Sequence, residues 1–162
     1  MPVATARVVG RRVLRFASLD EVLAEAERLA IAPRVTMLGN WTLGQTLGHL
    51  AAAMQYSVDG ANFRRPWYLG VIGPFLKHLV LRKMPAGFRL PEEVERIGVP
   101  TTSLTPGEGL ARLREGVDRL SREPTRAAHF VFGRLTPQEW TAFHCRHAEL
   151  HLSFAVEEAA CR

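Results

Sequence analysis

The sequence predicts an all-α fold: a four-helix bundle with a long crossover between its second and third helices, the crossover itself carrying an extra helix. Three observations lead there. Four Ser/Thr-x-x-Glu/Gln pairs, the signature of a capping box, each open a stretch with apolar residues at helical spacing. Alternating strand patterns are confined to two short candidates, Arg12 to Phe16 and Phe130 to Phe132. More than forty residues separate the second capped stretch from the third, too many for a short bundle connection.

Residues 1–10 read as a flexible N-terminal arm of one domain spanning residues 1–162. The first helix is capped by Ser18 with Glu21, runs through Leu19, Val22, Ala26 and Leu29, and stops before Pro33. Thr42 with Gln45 opens the second, which continues through Leu43, Leu47, Leu50 and Met54 towards Gly60. The crossover holds an apolar helix from about Leu69 to Lys83 and a Pro/Gly-rich stretch from Met84 to Gly107. Thr105 with Glu108 starts the third bundle helix, marked by Leu110, Leu113, Val117 and Leu120 and ended by Pro124. After a turn at Gly133, Thr136 with Glu139 starts the fourth, which carries Trp140, Phe143, His147, Leu150, His151 and Phe154 and is read as continuing to Cys161.

Composition bounds the function. With 47% hydrophobic and 23% charged residues in 162, the chain has the make-up of a soluble domain whose core needs neither a disulfide nor a structural metal. Any metal is then for use rather than for folding. The two cysteines, Cys145 and Cys161, stand roughly 24 Å apart if both lie on one helix, which excludes a disulfide between them and fits a cytoplasmic protein. The early arginines precede no apolar h-region or small-residue cleavage site, and the most apolar run, Trp67 to Leu81, is too short to span a bilayer. The net charge of +5 allows an anionic partner, and residues 60–91 hold six Lys/Arg and no acid.

The chemistry-bearing feature is the histidine set of the fourth helix. His147 and His151 lie roughly 40° apart on one face, a turn from each other, so two imidazoles can reach one metal ion. On the same wheel Trp140, Phe143, Leu150 and Phe154 share that inward stripe, while Cys145 and Glu149 point away from it. The zincin motif H-E-x-x-H needs Glu directly after the first His; Ala148 stands there, so a metalloprotease is rejected. His144 is an alternative partner for His147, because it stands three residues earlier on nearly the same face; it is roughly 10 Å along the axis from His151 and cannot share an ion with it. A third ligand must come from another helix, with His49 the best candidate. The bland alternative is that these are satisfied core histidines, which is the reading given to His78 and His129.

The run Asn40-Trp41-Thr42-Leu43-Gly44-Gln45 leading to His49-Leu50, and the run from His129 through Phe132-Gly133-Arg134-Leu135-Thr136 and Glu139-Trp140 to His147-Ala148-Glu149-Leu150-His151, resemble the DinB-like superfamily. More narrowly, they are similar to an uncharacterised branch of it with a Phe-Gly-x-Leu-Thr-x-x-Glu-Trp run before the histidine pair. The resemblance covers about residues 11–157. It implies a divalent metal, commonly zinc or nickel, held by His49, His147 and His151, with no counterpart for His144. The sequence departs from the superfamily after the pair, reading Leu152-Ser153-Phe154 where relatives often show a Gln.

Three neutral imidazoles with an open position are what a catalytic metal requires. The first functional expectation, drawn from relatives that are thiol-dependent S-transferases or resemble metal-dependent hydrolases, is a metalloenzyme acting on a small molecule, anionic or a thiol. Arg64, Arg65 and Trp67 are the expected mouth residues, and no general base is identifiable. The second expectation is a non-enzymatic bundle that forms a homodimer through the Leu69 to Leu81 face. Nucleic-acid binding rests on charge alone, without interleaved aromatics or a recognition motif, and ranks last. No membrane partner is expected.

Overall fold

The computed structural model describes residues 3–60, 67–87, 99–100 and 102–158. Its helices are α1 (Leu19–Ile31), α2 (Leu43–Asp59), α3 (Tyr68–Arg82), α4 (Pro106–Arg122) and α5 (Pro137–Leu152). A two-stranded antiparallel sheet pairs β1 (Val35–Met37) with β2 (Ala155–Glu157), and Thr5–Arg7 form a short 3-10 turn. The fold is all-α. None of the helices among the described residues is long and apolar enough to cross a membrane.

Local chemistry explains the starts. Thr42, Thr105 and Thr136 each accept from the backbone N–H three residues on, and Gln45, Glu108 and Glu139 return the bond to the cap backbone. Ser18 accepts from Glu21 N at 3.2 Å, but the Glu21 carboxylate takes the Ala17 N–H, one residue before the cap. Each such cap stabilises its helix by about 0.5–2 kcal/mol.

The crossover follows from helix direction. Gly44 lies against Gly109, Met54 against Gly116, and Asp59 pairs with Arg119 at 2.6 Å, so α2 and α4 run parallel. Parallel neighbours of 17 residues each require the intervening chain to return roughly 25 Å before α4 begins. α3 lies within that return, packing beside α5 with a Lys77–Glu139 ion pair of 2.6 Å. The α2–α4 approach is close: a Cβ on Gly109 would stand 2.5 Å from the Gly44 carbonyl oxygen.

The main core joins Val22, Ala26 and Leu29 of α1, Leu47, Leu50 and Met54 of α2, Leu113 and Val117 of α4, and Cys145, Ala148 and Leu152 of α5. A smaller cluster sets Leu69 and Val80 against Val131 and Phe132. The core side of α5 is thus the Cys145–Ala148–Leu152 side, opposite to the expectation that Cys145 points away from the interior. The histidine side is covered too, but by a cavity wall rather than by the main core.

Three sequence expectations are corrected. Arg12 to Phe16 and Phe130 to Phe132 are not strands; the latter are the turn between His129 and Gly133, which exchange two backbone hydrogen bonds of 2.8 Å with Gly133 at φ +77°. The real strands are β1 and β2. The fourth bundle helix ends at Leu152 because the chain turns at Ser153 and Phe154 to pair with β1, so it does not carry on to Cys161, which lies outside the described residues. Within the expected arm, Val3 exchanges two hydrogen bonds with the Asn40 side chain, at 2.6 and 3.0 Å.

Candidate metal centre

α2 and α5 run antiparallel, which decides what each histidine meets. His49 of α2 faces His147, with Nε2 to Nε2 at 3.0 Å, whereas Ser57, two turns further along α2, faces His144, with Oγ to Nε2 at 3.3 Å. His151 closes the first group: ring centroids lie 4.6 Å from His49 and 4.7 Å from His147. One nitrogen from each of His49, His147 and His151 falls within a set no wider than 4.8 Å. His144 is excluded from it, buried at 2% exposure and stacked on Trp140. The alternative pairing of His144 with His147 is therefore not the one the fold assembles.

Aromatic rings bracket the cluster. Trp41, just before the α2 cap, stacks on His151 and tilts against His49, with centroids 5.1 and 4.8 Å away. Phe143, one turn before His147, stacks on it at 5.6 Å. Burial, together with the neighbouring rings of the cluster, pushes the pKa of His147 and His151 well below the ordinary imidazole value. His144 is pushed down to about 3, again chiefly by burial. His147 and His151 are accordingly neutral at pH 7, the form in which an imidazole can ligate a metal.

The donor set fits a divalent ion. Ligands at about 2.0–2.1 Å around a tetrahedral centre stand roughly 3.3 Å apart; the His49 and His147 nitrogens are 3.0 Å apart and no two of the cluster are more than 4.8 Å apart. Imidazole nitrogen suits zinc or nickel. His147 Nδ1 is shut off from solvent without a hydrogen-bond partner, so the usual support for a ligand's second nitrogen is missing on that ring.

Other candidates fall elsewhere. Glu149 accepts from Phe16 N at 2.6 Å and pairs with Arg146 at 2.5 Å, holding the segment before α1 and turned away from the cluster. Cys145 is in the core, where burial pushes its thiol up to about 11. His78 is exposed. Arg64 and Arg65 lie outside the described residues, and Trp67 is 83% exposed and does not line the cavity.

The cluster opens into a cavity of about 510 Å³. Trp41, Tyr56, Phe130 and Phe143 line it, as does His129, whose Nδ1 accepts from the Val131 and Phe132 backbone at 3.1 and 3.2 Å. The His129 proton is thereby fixed on Nε2. Sequence reasoning missed Trp41 and the second role of His129. Trp41 had a motif position but no periodic signal, since it precedes the helix.

Fold and site together define a helical bundle with a three-histidine cluster of metal-binding dimensions in the wall of an aromatic cavity. The chain belongs to the family described as protein of unknown function (DUF1569), whose model matches residues 9–158. No curated protein and no solved structure matches it.

Proposed function

We propose that the chain is a metal-dependent enzyme of the DinB-like kind, a thiol S-transferase or a hydrolase, with zinc or nickel held by His49, His147 and His151. The observation that carries this reading is the convergence of three imidazole nitrogens, from two helices, within 4.8 Å at a cavity wall. Bound there, the ion would supply Lewis acidity. The chain's own part is to hold the three rings on rigid helices, and to shield two of their faces from water with Trp41 and Phe143. Its substrate in this reading is a small molecule of the cytoplasm, not nucleic acid or lipid.

Elemental analysis tests it, on protein purified without chelator or a metal-affinity column. About one ion per chain is expected, lost in His147→Ala and His151→Ala and kept in His144→Ala. A wild-type chain that stays metal-free when offered zinc and nickel at neutral pH sinks the reading.

One observation favours a second reading, a non-enzymatic bundle that works as a homodimer. On α3 Val71, Phe75 and Leu79 are 61, 76 and 67% exposed and lie a turn apart on one face, continued by Trp67. Sedimentation of wild type against Phe75→Glu decides it: both monomeric at micromolar concentration removes this alternative.

A further inference from the structure

We infer that the cavity beside the histidines takes a neutral, mainly aromatic or aliphatic molecule, and that its walls, apart from the ion's own position, discriminate against anions. This deepens the proposed function, with which it shares the site, by naming the substrate class.

The argument starts from the walls. Among the described residues lining the cavity there is no Asp, Glu, Lys or Arg. That is unusual for this chain, which carries 21 Lys and Arg and a net charge of +5. The nearby Arg11 is committed elsewhere: it packs on the Phe154 ring at 4.2 Å, its Nη2 is held by Ser153 Oγ at 2.7 Å, and it is not a lining residue. Away from the histidine cluster, where the ion of the proposed function would be the one positive charge, an anion would lose its hydration and meet no counter-charge from the described lining residues, a cost that a neutral ligand avoids.

The walls also say what replaces charge. Tyr56, Phe130, Phe132, Trp140, Phe143 and Phe154 supply aromatic surface, and Ala52 and Ala53 of α2 leave space between them and the histidines. The volume, about 510 Å³, lies in the range of sites that enclose drug-sized ligands, which bind through apolar contact with a few convergent polar groups for orientation. Asn40, Thr46, Ser57 and His129 are such polar groups in the lining, beside the metal-holding cluster. The surface positive charge, by contrast, attracts anions without giving them a place inside.

The test uses two fluorescent probes with one skeleton. N-phenyl-1-naphthylamine is neutral; 8-anilinonaphthalene-1-sulfonate is the same molecule with a sulfonate. Titrations of the full chain with a chelator present, so that the walls alone are read, are expected to show saturable binding of the neutral probe at least ten-fold tighter than the sulfonate. Ala52→Phe and Ala53→Phe, both at partly exposed positions of α2 where a larger side chain is compatible with folding, are each expected to weaken it at least five-fold. Equal or tighter sulfonate binding overturns the inference. So does neutral-probe binding that survives both cavity-filling variants but is lost in Phe75→Glu, which would locate the probe on α3. Metal content is read separately on the same samples before the chelator is added: a chain that binds zinc but not the neutral probe fails here alone, and one that binds the probe but no metal fails only the preceding reading.

Discussion

The indole of Trp41 lies parallel to the imidazole of His151, with centroids 5.1 Å apart and planes 10° from each other. The contact joins residues far apart in the sequence, one just ahead of α2 and the other a residue from the end of α5. It makes Trp41 the reporter of the cluster.

Tryptophan emission should therefore respond to metal through one residue. Of the three tryptophans, Trp67 is exposed and Trp140 stacks on His144, outside the cluster. Nickel added to metal-free protein is expected to quench the emission of wild type, and to leave that of Trp41→Phe nearly unchanged. Equal quenching in the two proteins would separate Trp41 from the ion.

Acid should destabilise the metal-free protein earlier than its carboxylates alone would. His144 has its pKa pushed down to about 3 by burial, against about 6.5 in an unfolded chain. Between those values the unfolded state binds the extra proton, so the stability present above pH 6.5 is lost progressively as pH falls towards 3. His147 and His151 act in the same direction. Replacing His144 by Gln, which can still bond Ser57, is expected to flatten the fall of Tm between pH 7 and 5. An unchanged slope would assign the acid sensitivity to other groups.

Two glycines of α4 should give opposite signs. At Gly109 an added Cβ meets the Gly44 carbonyl oxygen at 2.5 Å, whereas at Gly107 it meets nothing within 4 Å. Ala gains up to about 1 kcal/mol of helix propensity at either site. At Gly109 the forced separation of α2 and α4 costs about 1–3 kcal/mol and outweighs that gain. Urea unfolding should show Gly109→Ala destabilised and Gly107→Ala neutral or slightly stabilised.

Glu149 should be structural and not catalytic. Its carboxylate receives the Phe16 N–H and pairs with Arg146, whose guanidinium also reaches the Phe16 carbonyl. Glu149→Gln is expected to cost about 1–3 kcal/mol while leaving metal content unchanged. Lost metal in a folded Glu149→Gln protein would contradict this placement.

Much of the bundle was readable because its signals are local. A capping Thr and its partner three residues on act within one turn, so the starts of α2, α4 and α5 stood out. The four-residue spacing of His147 and His151 is likewise a property of any helix. The choice between His144 and His151 was not local: it depends on α2 running antiparallel to α5, which no spacing within one helix encodes. Three-residue strands such as Val35–Met37 are too short to show a period. The end of α5 at Leu152 lacks a Gly or Pro, since Ser153 caps it in a helical conformation. With core on one side and cavity on the other, α5 also lacks the single apolar face from which inside and outside are told apart.

The β1–β2 ladder sets an order of assembly. It pairs Val35 with Glu157 and Met37 with Ala155, and Leu38 N extends it by donating to the Phe154 carbonyl. These contacts close the chain from Val35 to Glu157 into one loop, the kind of closure whose entropy cost delays it in folding. Trp41 follows this ladder by four residues and His151 precedes it by four, so their stacking waits on the same event. In refolding, helical signal should rise before the Trp41 emission becomes sensitive to nickel; the cluster is then a checkpoint that only a chain with β1 and β2 joined can pass.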